Sequence, residues 1–93
     1  MELIIKKSFV KELKRLPAKN QIACKKILEI LSNAETLEEA DIDIIPMEGQ
    51  SKNDNYYRVR VGSYRIGIEY IEPSIIVITV LSRGDIYKHF PPK

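Results

Sequence analysis

Residues 56–70 read YYRVRVGSYRIGIEY, and no other stretch constrains the chain as much. Apolar and polar residues alternate with a period of two on both sides of Gly62-Ser63, the pattern of two half-buried strands. A two-residue connection led by glycine predicts a type II′ turn, because glycine takes the positive φ of the first turn position without steric cost. The register follows. Val61 is expected opposite Tyr64, Arg60 opposite Arg65, Val59 opposite Ile66 and Arg58 opposite Gly67. Side chains alternate across a strand, so Tyr57, Val59, Val61, Tyr64, Ile66 and Ile68 share the core face. Arg58, Arg60 and Arg65 then share the other face. Like charges directly opposite each other destabilise a sheet by up to about 1 kcal/mol. One account of the patch is an exposed polar face that discourages edge pairing, partly neutralised by Glu69 and Glu72. The functional account is an anion site for several phosphates of a nucleic acid. Gly67 is expected to leave a gap beside Arg58, where a ligand can approach the backbone.

The remaining elements fall around this hairpin. Residues 2–5 (ELII) read as a short strand. Over residues 8–16, Phe9, Leu13 and Leu16 recur at i, i+4 and i+7, a helical stripe. Pro17 ends that helix and suits the first turn of another. Residues 17–33 place Ala23, Ile27, Ile30 and Leu31 on one face, so two antiparallel helices are expected. Their lysines, including Lys19, Lys25 and Lys26, read as a solvated face, with phosphate binding as the alternative. Cys24 reads as a small core residue. Residues 34–55 lack a clear period and hold Pro46, Gly49 and SKNDN, which predicts a loop with one short helical turn at TLEEAD. Pro73 marks a second reversal. The β-branched run 75–81 (IIVITVL) suits a central strand covered on at least one face. The order is β-α-α-β-β-β, an α+β fold in a single domain over 1–93, with two antiparallel helices packed on a twisted antiparallel sheet.

Composition narrows the classes. The chain has 93 residues, 44% hydrophobic and 30% charged, which is ordinary globular composition and too short for two separate cores. No apolar run approaches the roughly 20 residues of a membrane span, and lysines interrupt the N-terminus before a signal-peptide core forms. One cysteine and one histidine leave no disulfide framework and no zinc-finger set. A reduced cytoplasmic protein without metal or other cofactor is expected. The net charge of +2 conceals segregation. Residues 1–33 carry eight basic residues and three acids, residues 34–55 one and seven, and residues 56–93 six and three. Two basic parts thus flank an acidic one, which points to a local binding field. After the aliphatic run, SRGDIYKHF brings Arg83, Tyr87, Lys88 and His89 close to the strand's end. Tyr87 either stacks on an unpaired base or closes the core with Ile86 and Phe90. His89 is either a ligand contact or a plain surface residue.

Taken together, YYRVRVGSYRIGIEY, the aliphatic strand and SRGDIYKHF resemble the RelE/ParE toxin superfamily of bacterial and archaeal type II toxin–antitoxin systems. Its members read approximately YR(I/L)RVG(D)YRI(I/L)Y, then an apolar strand, then HR(x)(D/E)(V/I)Y. The resemblance covers nearly the whole chain. It implies two helices on a twisted antiparallel sheet and a small cognate antitoxin as partner, whose tail covers the arginine face or displaces the C-terminal segment. In the RelE branch the toxin binds mRNA in the ribosomal decoding site and cuts it; in the ParE branch the target is DNA gyrase. A third possibility is a non-toxic module that only binds antitoxin. Basic residues at Arg58 and Arg60, arginine at Arg65, a basic residue at Arg83 and the C-terminal Tyr87 favour the RelE branch. RelE-like enzymes can carry lysine where this chain has Arg58 and Arg60, and the common histidine before the last arginine is Ser82 here. The implied chemistry is attack of an RNA 2′-hydroxyl on the adjacent phosphate without a metal or small-molecule ligand. Arg65 and Arg83 would clamp the scissile phosphate, and Arg58 and Arg60 would hold flanking phosphates and bias the attack geometry. Arg60, Lys88 and His89 would bind RNA, and Tyr87 would stack on a base or move a proton. His89 is a second candidate for proton transfer.

Overall fold

The period-two stretch forms the expected hairpin. In the computed structural model, which describes residues 1–51 and 53–92, strands β3 (Tyr56–Val61) and β4 (Tyr64–Ile71) pair antiparallel. The pairs are Val61 with Tyr64, Arg60 with Arg65, Val59 with Ile66 and Arg58 with Gly67, residue for residue as anticipated. Gly62 adopts φ +59°, and among the described residues no non-glycine has a positive φ, so Ser63 stays in the negative-φ second position of a II′ turn.

Ahead of the hairpin come β1 (Glu2–Ile5), α1 (Lys7–Leu13), α2 (Ala18–Asn33) and β2 (Ile44–Pro46); after it come β5 (Ser74–Ser82) and α3 (Ile86–His89). The sheet order is β1-β5-β4-β3-β2. The architecture is the expected α+β one, with β5, β4, β3 and β2 antiparallel in succession. β1 pairs parallel with β5 at one edge, and the long helical connection carries the chain from there to β2 at the other. One helical face and the sheet meet in a core of Phe9, Leu13, Cys24 and Leu31 against Val59, Val61, Ile66, Ile68, Ile75, Val77 and Val80. Burying such side chains is worth roughly 1.5–3 kcal/mol each.

The aliphatic run of β5 does not alternate for a reason the fold supplies. A bulge between Gly67 and Ile68 lets Thr79 face Gly67 while Val77 faces Ile68. One extra residue reverses the alternation, so Val77 and Val80 both reach the core although three positions apart. α1 covers the part of the β5 edge that β1 does not reach. The Ser8 hydroxyl donates to the Ile78 carbonyl and the Thr79 hydroxyl to the Glu12 carboxylate.

Several expectations change. Residues 35–40 form turns and bends, with no helix at TLEEAD, and β2 adds an edge strand where a loop was expected. Three residues are too few to show a period, and Pro46 is tolerated because the strand lies at the edge. The helices end at Leu13 and begin at Ala18, so Lys14–Pro17 lie between them. Ile30 is exposed, since α2 turns Cys24, Leu31 and the flanks Ala23, Ile27 and Leu28 to the sheet. The segment after β5, to which the sequence reading assigned no conformation, forms the short helix α3. Ile86 and Phe90, with Met47, Tyr56, Ile78 and Leu81, make a second small core on the face that carries the arginines.

Cys24 is fully buried, and burial pushes its thiol up to about 11. The thiolate is the reactive form. At pH 8 the folded protein is therefore expected to resist iodoacetamide, with full alkylation only in denaturant, as read by intact mass. Rapid modification of the native protein would contradict that placement.

Candidate functional site

Strand register decides where the arginines go. Arg58, Arg60 and Arg65 line one cleft of about 140 Å³ together with Asp43, Ile45 and Tyr87. At ~30 Å³ per water molecule, the space suits a few waters or one phosphate group. Ile45 pairs with Arg58 across β2 and β3 and so shares its face. Asp43 is drawn in because its carbonyl accepts the Arg60 N–H at 2.9 Å.

The three guanidinium groups are held differently. Arg58 lies deepest. Its Cζ sits 5.3 Å from the Tyr87 ring centroid, within cation–π range. Its Nη1 is buried and has no hydrogen-bond partner. A charged donor in that state is costly unless something anionic arrives. Arg65 Nη1 donates to the carbonyls of Gly62 and Tyr64, both at 2.9 Å, so the hairpin turn fixes its guanidinium and leaves its other donors unspent. Arg60 Nη1 is 3.9 Å from Asp43 Oδ2, with both side chains more than half exposed, a pair too wet and too long to neutralise the cleft. Among the described residues, no carboxylate pairs with Arg58 or Arg65.

Tyr87 is the member of the C-terminal group that enters the cleft. It stands 57% exposed while Ile86 and Phe90 are buried, which settles which residues of that segment serve the core. The expected gap at Gly67 is absent. The Phe90 ring fills it, packed so closely that a Cβ on Gly67 would lie 2.9 Å from two ring carbons and from the Thr79 methyl. Phe90 also meets Tyr56 edge-on at 5.5 Å between centroids. Gly67 thus admits a side chain of the same protein, and that side chain seats α3 so that Tyr87 reaches Arg58.

Arg83, Lys88 and His89 do not line this cleft. Arg83 is exposed, and its N–H donates to the Ser63 carbonyl at 3.0 Å, which tethers it to the turn that also holds Arg65. Lys88 is exposed, 3.9 Å from Asp85. His89 borders a separate groove with Ser8, Glu12 and Phe90. Residues two positions apart in a helix lie about 200° apart around its axis, so Tyr87 and His89 cannot face one site. Sequence reasoning missed Asp43 and Ile45. The available signal was weak: one acid and a β-branched pair before Pro46.

Among the described residues, no three His, Cys, Asp or Glu side chains gather as metal ligands, and no helix is long and apolar enough to cross a membrane.

Comparison with known proteins agrees with this geometry. Residues 3–87 match the family model for the ParE toxin of type II toxin–antitoxin systems (parDE). The chain is 42% identical over 91 residues to Toxin RelE3 of Methanocaldococcus jannaschii, covering 98% of this chain and all of that one. The crystal structure of the RelB–RelE antitoxin–toxin complex from Methanococcus jannaschii is similar with a TM-score of 0.77 at 41% identity, covering 95% of this chain and 99% of that one. The archaeal RelE–RelB complex from Pyrococcus horikoshii OT3 follows with a TM-score of 0.69 at 27% identity, covering 89% and 94%. Fold, motif and extent of match together place this chain in the RelE/ParE superfamily of type II toxins, in its RelE-like branch.

Proposed function

We propose that the toxin acts in the cytoplasm as an endoribonuclease that cuts mRNA on the ribosome and so stops translation. The observation that carries this reading is the cleft, where the unpartnered Arg58, the turn-held Arg65 and Arg60 converge beside Tyr87. In the cut, a 2′-hydroxyl attacks the neighbouring phosphorus and the 5′-oxygen leaves. Negative charge builds on the phosphate, and preorganised guanidinium groups stabilise it. Arg58 and Arg65 clamp the scissile phosphate, each with donors to spare. Arg60, Arg83 and Lys88 hold flanking phosphates, and Tyr87 stacks on a base or moves a proton. Dependence on the ribosome fits a small, open cleft that needs its RNA presented in the attacking geometry. The partner is a cognate antitoxin, as RelB is for RelE in the two archaeal complexes. Its tail would mask the arginine face or displace α3.

The experiment is controlled expression of the toxin without antitoxin. Growth and translation are expected to arrest, primer extension should show new 5′ ends inside translated frames, and Arg65→Ala should relieve both effects. Intact transcripts in arrested cells would remove the ribonuclease reading. The matching family model is that of a ParE toxin, and the resemblance to the ParE branch makes gyrase the rival target. Supercoiling by gyrase is expected to be unaffected, and inhibition would move the toxin to that target. Unimpeded growth of wild-type cells would leave only antitoxin binding.

A further inference from the structure

The ribonuclease reading leaves a proton unaccounted for. The attacking 2′-hydroxyl must lose one as its oxygen bonds to phosphorus. Three of the charged groups lining the cleft are arginines, which remain protonated and cannot accept it. His89 borders a different groove. Two ionisable groups remain in the cleft: Tyr87, whose neutral phenol carries a proton to give, and Asp43, whose carboxylate can take one.

We propose that Asp43 is the proton acceptor for the 2′-hydroxyl and Tyr87 the donor to the departing 5′-oxygen, an assignment that rests on the ribonuclease reading. Asp43 is built for reach and for place. Its carbonyl is bound by the Arg60 N–H at 2.9 Å, which ties it to the register of β3. Its side chain is 52% exposed and so open to substrate. It faces Arg60 at 3.9 Å across the cleft lined by Arg58, Arg65 and Tyr87. A carboxylate beside three cations weakens phosphate binding, a cost that catalysis explains and simple RNA holding does not. The step balances. The 2′-hydroxyl proton passes to Asp43 as the 2′-O–P bond forms. The P–O5′ bond breaks, and the 5′-oxygen takes the Tyr87 proton. The products are a 2′,3′-cyclic phosphate and a 5′-hydroxyl. Solvent then returns a proton to Tyr87 and removes one from Asp43.

The test is single-turnover cleavage of ribosome-bound mRNA by the full chain. Asp43→Asn, which keeps shape and removes charge, is expected to slow the chemical step about 10²–10⁴-fold while mRNA binding stays equal or tightens. Asp43→Glu should restore part of the rate. A substrate with sulfur in place of the 5′-bridging oxygen needs no proton on its leaving group. It should rescue Tyr87→Phe and fail to rescue Asp43→Asn. Wild-type cutting with an equally active Asp43→Asn overturns the assignment alone, and so does rescue of Asp43→Asn by sulfur. A wild-type chain that leaves ribosome-bound mRNA intact removes the ribonuclease reading as well.

Discussion

Arg58→Ala is expected to lower mRNA cleavage by about 10²–10³-fold, the usual loss when one preorganised transition-state donor is removed, while leaving the melting temperature unchanged or slightly raised. The two directions separate because the residue is poorly satisfied in the free protein. Its Nη1 is buried without a partner, and its attraction to the Tyr87 ring is only partial compensation. Removing an unmade hydrogen bond costs the fold little, and activity bought with such a group commonly lowers stability. Arg58→Lys should recover only a fraction of the rate, because an ammonium is a point charge that can neither fork onto phosphate nor lie flat on the ring. Cleavage by single turnover and unfolding by calorimetry, measured on the same samples, check both halves. A variant that unfolds early and still cuts would mean that Arg58 is a structural residue.

Gly67→Ala should damage both properties at once. The added methyl would sit 2.9 Å from Phe90 Cδ1 and Cε1 and from Thr79 Cγ2, closer than carbon atoms approach. Overpacking of this kind costs about 1–3 kcal/mol, which in a domain of this size lowers the melting temperature by about 4–8 °C per kcal/mol. Relief is expected from movement of the ring away from the sheet. That lifts Phe90 and Ile86 from their small core and carries Tyr87 off Arg58. Cleavage should therefore fall by more than the loss of folded protein explains. Combining Gly67→Ala with Phe90→Leu should regain part of the stability, because a smaller side chain vacates the space. Unaltered melting in Gly67→Ala would show that the seat under α3 is looser than the geometry states.

The hairpin was legible because its information is local. Period-two alternation and Gly62-Ser63 leave one register, and that register puts Arg58, Arg60 and Arg65 on one face. The stripes of Phe9 and Leu13 and the burial of Cys24 were legible for the same reason. β2 was not, since three residues with a proline carry no period and pair only because β3 offers an open edge. The helical conformation of α3 was not legible either. Ile86–His89 form a single turn, and what holds it is Phe90 docked on a glycine some twenty positions earlier in the chain.

By itself, then, the sequence determined the reversal at Gly62, the face of each hairpin side chain and, through its motif, the toxin family. Which groups enter the cleft was decided by tertiary structure alone. Asp43 arrives through an edge strand, Tyr87 through the Phe90 seat, and His89 is turned away by the pitch of a helix. Alternation along a strand is set between neighbours in the chain, whereas these placements depend on contacts between residues far apart in sequence, which form only when the elements pack.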